Sequence, residues 1–355
     1  MLQVGIVGLP NVGKSTLFKT LTKKQVDCAN FPFCTIEPNV GVVEVPDARL
    51  KQLADISHAQ KIIPTAIEFV DIAGLVKGAH KGEGLGNKFL SNIREVDMIV
   101  HVVRAFDDAN VHHVEGNIDP LRDVETIETE LALADIDTVD RRLNNVRSKL
   151  KAGKTKELEN EEIALAKLLE AVSAGKLANT VELTDDENAT LRDLYLLTRK
   201  PILYVVNVSE SNGRAQGPPL RFDPMLELSV KIESEIMDMA AEEQVEFLRE
   251  LGLEQSGLDR LITKCYEALN LITYFTSGEK ETRAWTITRG TKAPAAAGVI
   301  HTDFEKAFIR AEVISAQDFI ELGGEAKCRD VGKLRVEGKE YVMKDGDVCH
   351  FRVGV

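Results

Sequence analysis

Gly8-Leu9-Pro10-Asn11-Val12-Gly13-Lys14-Ser15 fits G-x-x-x-x-G-K-[ST], the spacing of a phosphate cradle. Its glycines let backbone N–H groups turn inward around a β-phosphate, and a helix starting at Lys14 adds its positive end. Gly8 to Thr16 would then wrap the phosphates of a nucleotide. Lys14 is the group that reaches the β- and γ-phosphates, and the Ser15 hydroxyl is a ligand for Mg²⁺. Asp71-Ile72-Ala73-Gly74 ends a later strand. A carboxylate there holds Mg²⁺ through a water, and the Gly74 N–H meets the γ-phosphate. Thr35, in NFPFCTIEPN, lies in the connecting loop where a second hydroxyl ligand for Mg²⁺ is expected; the blander reading is a solvated loop threonine. Gly78, Gly82, Gly84 and Gly86 follow Asp71-to-Gly74 and suggest a segment that responds to the γ-phosphate, or simply a glycine-rich loop.

The base-reading segment is unusual. Asn207-Val208-Ser209-Glu210 stands where most GTPases carry N-K-x-D. The Asp of that motif accepts from the ring N–H and 2-amino group of guanine; adenine has no such amino group and presents an acceptor at N1. With Val208 for Lys and the longer Glu210 for Asp, the guanine reader is weakened. Asn207 can still meet N7 and a group at position 6, its amide serving an amino group or a carbonyl by flipping. Val208 offers its backbone and an apolar wall, and Ser229-Val230-Lys231 stands where a base-contacting S-A-K loop sits.

Small regulatory GTPases have a water-positioning Gln after DxxG, whereas this chain has Leu75, so slow intrinsic turnover is expected. Three sources of the missing help are open: a potassium ion held with the aid of Asn11, His113 (or, less well placed, His112) swinging in to position water, or a group from a partner.

These residues need a scaffold. Residues 3–9, 66–73, 97–104, 202–207 and 226–229 read as buried strands alternating with helical stretches, which implies an α/β fold with a mostly parallel sheet. Between the third and fourth strands, about 120 to 199, the chain is Leu/Ala/Glu/Lys-rich with helical periodicity. One long helix up to Gly153 and a return helix up to Gly175 make an antiparallel arm. From about 275 short strands, one helix and an Asp345-Gly346 turn mark a small separate α+β domain. The expected division is residues 1–120 with 200–274 for the nucleotide-binding domain, 121–199 for the arm and 275–355 for the last domain.

At this point a resemblance covers essentially the whole chain. GLPNVGKSTLF, ANFPFCTIEPNVG, DIAGLVKGAHKGEGLGN, the N-x-x-E at Asn207–Glu210, RAWTI and IHTDFEKAFIRAE resemble the YchF/Obg-like ATPase family. The resemblance implies a GTPase-type domain, an inserted helical arm and a C-terminal TGS (β-grasp) domain. It implies ATP as preferred or co-equal substrate over GTP, and association with ribosomes. It maps nucleotide contacts onto Asn11 to Thr16 and Val208, with Mg²⁺ on Ser15 and Thr35.

The net charge of −13 disfavours nucleic-acid binding by the whole surface but leaves room for a local patch. Arg141, Arg142, Arg147, Lys149, Lys151, Lys154 and Lys156 lie on the arm with no acid between them, a surface able to meet rRNA phosphates, or else a solvated helix end. Five scattered cysteines without CxxC spacing fit free thiols in a reducing cytoplasm, and no signal peptide or membrane span is read. A monomer is expected. Trp285 reads as core or interface packing and His301 as structural. The leading reading is an ATPase that binds the ribosome, through its large subunit, in a nucleotide-dependent way. A GTP-hydrolysing translation factor and a non-catalytic nucleotide-gated RNA- or ribosome-binding module stay open.

Overall fold

A computed structural model describes residues 2–24, 37, 39–72, 85–106, 118–209 and 222–354. The first stretch holds β1 (Gln3–Val7), α1 (Lys14–Thr22), β2 (Val40–Glu44), α2 (Ala48–Ile56), β3 (Ile62–Ile63), β4 (Ala66–Asp71), α3 (Leu85–Glu95) and β5 (Met98–Ala105). The helices α4 (Pro120–Ala152), α5 (Lys156–Ser173) and α6 (Asp185–Thr190) follow. The chain returns through β6 (Ile202–Val208), β7 (Met225–Leu228), α7 (Val230–Ile236), α8 (Ala241–Glu250) and α9 (Gly257–Ala268). It closes with β8 (Leu271–Thr276), β9 (Thr282–Thr288), α10 (Ala293–Ile300), α11 (Thr302–Lys306), β10 (Phe308–Ser315), α12 (Ala316–Leu322), α13 (Glu325–Asp330), β11 (Arg335–Glu337) and β12 (Asp347–Val353).

The first sheet has the order β2-β4-β1-β5-β6-β7, with every pair parallel except β2 against β4. All five strands expected from the sequence are present within a few residues. The edge strand β2 was not among them. β5 and β6 are buried along their whole length, which is why they read as unbroken apolar runs. Ile6, Leu17, Phe69, Ile99 and Val205 pack in one core with none of their surface exposed.

The arm has two parts with different roles. α4 runs for 33 residues, about 50 Å at 1.5 Å per residue. Asp119 caps its start by accepting from Arg122 N, and Pro120 opens its first turn. Its first half belongs to the sheet domain: Val124, Ile127, Leu131 and Ala134 pack into that core. Only the distal half makes a separate arm, where Val139, Leu143 and Val146 interlock with Leu165, Leu168 and Val172 of α5. At the root, the buried Asp135 carboxylate accepts from Leu197 N at 2.9 Å, Thr198 N at 2.8 Å and Thr198 Oγ1 at 2.7 Å. The basic arm patch is smaller than its sequence implies, because acids from the facing helices reach it. Arg142 pairs with Glu161 at 2.6 Å, Arg147 with Glu162 at 2.9 Å and Lys156 with Asp186 at 3.5 Å.

The second sheet has the order β11-β10-β12-β8-β9-β3. Two features differ from the expected separate domain starting at 275. Its first strand begins at Leu271, and four helices rather than one accompany the strands. Nor is the sheet self-contained: β3 pairs in parallel with β9, and Leu50 and Leu53 of α2 pack with Phe275, Ile314 and Phe319. Arg49 of α2 bonds both Asp47 and Asp345, each at 2.7 Å, and Asp345 accepts from Thr273 N at 2.9 Å. Trp285 packs as expected: half-buried, it stacks beside Tyr274 and donates to Thr276 Oγ1 at 2.9 Å. His301 is structural, its Nδ1 accepting from Asp303 N at 3.2 Å to start α11. Among the described residues no helix is long and apolar enough to cross a membrane. Cys265, Cys328 and Cys349 are buried free thiols.

Candidate nucleotide-binding site

β1 lies between β4 and β5, so the loop leaving its C-terminal end opens into the crevice where an open α/β sheet takes its ligands. The loop reverses through Asn11 at φ 63° and Gly13 at φ 102°. Glycine is demanded by contact as well as by φ. A Cβ on Gly13 would lie 2.6 Å from Asn207 Nδ2, and one on Gly8 would lie 2.5 Å from the Val102 carbonyl oxygen. α1 starts at Lys14 with Gly13 as its N-cap, a residue with no side chain to accept from the first turn. Those N–H groups are therefore left to an anion.

Three sequence-predicted groups converge beside that helix end. Lys14 is 8% exposed, and its Nζ donates to the Leu9 carbonyl at 2.7 Å. Burial lowers the Lys14 pKa, and the nearby Asp71 charge works the other way. Burial raises the Asp71 carboxyl at the end of β4, while the Lys14 charge and a hydrogen bond from Ser15 pull it back. Ser15 and Thr16 are exposed, whereas Val12 is buried and holds the loop to the core. A hydroxyl and a carboxylate within hydrogen-bond reach of each other are the oxygen donors a small hard cation takes, so the residues fit Mg²⁺. A bound cation would reinforce the ionised form of Asp71. Thr35, Gly74, Leu75, His112, His113 and Glu210 lie outside the described residues, as do Gly78, Gly82 and Gly84.

Asn207, next to last in β6, is 5% exposed. Its Nδ2 donates to the Val12 carbonyl at 3.0 Å, and its Oδ1 accepts from Val230 N at 3.0 Å. The free flip expected from the sequence is not available, since turning the amide would set Nδ2 against the Val230 N–H and Oδ1 against the Val12 carbonyl. One Nδ2 hydrogen remains for a base acceptor such as N7. Val208 is 2% exposed and packs with Ala105 and Val206, so its side chain is part of the core rather than an open wall. Ser229 caps α7, its Oγ accepting from Ile232 N at 3.4 Å. It thereby sets the direction in which Val230 N meets Asn207.

Sequence reasoning missed His101. It sits fully buried on β5, opposite Val7 of β1 and Tyr204 of β6, its ring centroid 5.7 Å from that of Tyr204. Burial, helped by the Lys14 charge, pushes its pKa down to about 3, so it stays neutral beneath the phosphate loop. A histidine inside an apolar strand carries no spacing signal that marks it.

Comparison with known proteins agrees along the whole chain. Residues 3–139 match the family described as "50S ribosome-binding GTPase", and residues 271–354 match the YchF-GTPase C-terminal family, described as "Protein of unknown function (DUF933)". The chain is 53% identical to the Ribosome-binding ATPase YchF of Bacillus subtilis, covering 100% of both chains. It is 52% identical to the Ribosome-binding ATPase YchF of Escherichia coli O157:H7, covering 99% of each. Among solved structures it superposes on the Schizosaccharomyces pombe YchF GTPase with a TM-score of 0.87 at 41% identity, covering 99% of this chain and 97% of that one.

Proposed function

Because this chain belongs to the YchF family, we propose that it is a Mg²⁺-dependent ATPase whose nucleotide state governs its association with the ribosome. The observation that carries the hydrolase reading is the meeting of Lys14, Ser15 and Asp71 at the uncapped end of α1. The relatives' names supply ribosome binding and ATP, and the description of the family matched by residues 3–139 supports the large subunit.

Backbone N–H groups from Asn11 to Thr16 cradle the phosphates, and Lys14 exchanges the Leu9 carbonyl for β- and γ-phosphate oxygens. Ser15 would hold Mg²⁺ directly and Asp71 through a water, with Thr35 as the second hydroxyl ligand. Held there, Mg²⁺ would supply positive charge that offsets the negative charge developing on the phosphates. Gly74 N–H meets the γ-phosphate. Turnover is slow, because Leu75 cannot orient water; His113, a K⁺ ion held with Asn11, or a ribosomal group completes the site. The protein acts as a cytoplasmic monomer, and the arm tip meets rRNA.

ATP is favoured over GTP because the base segment lacks the Lys and Asp of N-K-x-D. Asn207 donates towards N7, which both purines present, while the longer Glu210 stands in place of the Asp that singles out guanine. Equilibrium binding of ATP and GTP to nucleotide-free protein with Mg²⁺ tests this. Tighter ATP binding is expected; clear GTP preference would hand the site to a GTPase.

A further inference from the structure

The C-terminal sheet is nearly divided in two. β8 and β12 run parallel and meet at one register pair, Phe275 with Val348. On its other side β12 pairs with β10 from Asp347 to Val353. β12 therefore continues past the end of β8, and from Cys349 onward that edge has no strand partner among the described residues. The tip of the β8–β9 hairpin is tied to the α2–β3 segment. Gln60 N donates to the Glu279 carbonyl and Thr282 N to the Lys61 carbonyl, both at 2.9 Å, and the Ser57 and Ser277 hydroxyls meet at 2.8 Å. With the hairpin pinned to the α2–β3 segment, a groove of about 730 Å³ opens between it and β12.

The groove has an apolar floor that includes Trp285, Phe319, Val348 and Phe351. Its walls carry Glu279, Glu281, Glu312 and Glu325 against a single lysine, Lys280. Glu312 and Glu325 already hold Arg352 at 3.0 Å and Arg329 at 2.5 Å. Glu279 and Glu281, on the hairpin wall, make no ion pair among the described residues. An unpaired strand edge, an apolar floor and uncompensated carboxylates together describe the complement of an extended cationic peptide. A phosphate backbone would instead meet like charge on the hairpin wall.

We propose that this groove docks an extended basic segment of a partner protein. The segment adds a strand to β12 beyond Val348, seats alternate apolar side chains on the floor and turns Lys or Arg towards Glu279 and Glu281. Main-chain pairing supplies affinity, and the acidic wall selects the partner and orients it. This surface is separate from the nucleotide site and does not depend on the reading of that site.

The test uses the full chain and a labelled, end-blocked peptide of about eight residues alternating Lys and Val, long enough to pair along the open edge. Anisotropy reports binding, and emission of Trp285, the sole tryptophan, reports occupancy of the groove itself. Expected are saturable binding with a change in Trp285 emission and no binding of a Glu/Val peptide. N-methylation of alternate backbone nitrogens should weaken binding about tenfold. The pair Glu279→Lys with Glu281→Lys should weaken it about fivefold or more, with far-UV dichroism and nucleotide affinity unchanged. Failure of the Lys/Val peptide to bind, or indifference to N-methylation or to the charge reversal, would overturn the proposal. So would displacement of the peptide by oligouridylate, which would make the groove an RNA site.

Discussion

Replacing Asn207 by Ala removes both bonds that tie the phosphate loop to the start of α7. Each is 3.0 Å long, and each joins the amide to a buried backbone group. The truncation leaves the Val12 carbonyl and the Val230 N–H without a partner, at about 1–3 kcal/mol for each unsatisfied group. Allowing water to reach one of them, the net loss is about 2–4 kcal/mol of stability. The same change frees the loop to wander before ligand arrives, so nucleotide affinity should fall about 10- to 100-fold. Urea unfolding without nucleotide and titration with a fluorescent ATP analogue read the two effects. Asn207→Asp refines the test. It keeps an acceptor for Val230 N but points a carboxylate at the Val12 carbonyl, so it should lose more affinity than stability. An Asn207→Ala protein within about 0.5 kcal/mol of the parent, the range of an ordinary surface change, would refute the bridging role.

Three further changes probe other links. Gly13→Ala drives a methyl to 2.6 Å from Asn207 Nδ2 at a φ of 102°, and should cut nucleotide affinity at least about tenfold by calorimetry with little change in global fold. Asp135 has its folded carboxyl pKa raised by burial, partly offset by its bonds to Thr198 and Leu197. The folded chain thus holds that proton more tightly, so the stability advantage of the parent over Asp135→Asn falls as pH rises from the unfolded value near ~4 through the higher folded value. Urea midpoints of both proteins across that window test it, a constant difference being the contrary result. At the arm tip, Lys149, Lys151 and Lys154 make no ion pair among the described residues. Changing all three to Glu should weaken ribosome co-sedimentation and reduce its salt slope by roughly two to three.

The phosphate site was legible because its chemistry is contiguous: glycines, Lys14 and Ser15 sit within one turn between a strand and a helix. The parallel strands were legible because burial on both faces forces apolar runs. What was not legible depends on pairings between distant segments. Nothing near Leu50 or Ile62 signals that α2 and β3 complete a sheet made two hundred residues later. β2 escaped notice as a short edge strand inside a loop motif. The basic run on the arm looked unopposed because its acids, Glu161 and Glu162, lie on the return helix. Asn207 was recognised by position, but its fixed orientation follows from Val12 and Val230, which only the fold brings to it.

The most direct measurement is phosphate release from ATP by the parent chain and by Lys14→Met, with and without Mg²⁺. Lys14→Met fills the same buried space without the charge. The account predicts slow, Mg²⁺-dependent release by the parent, and loss of about a hundredfold or more on removing the lysine, as expected where catalysis rests on phosphate charge stabilisation. Release that is indifferent to Mg²⁺ or to Lys14 would place the chemistry elsewhere and contradict it.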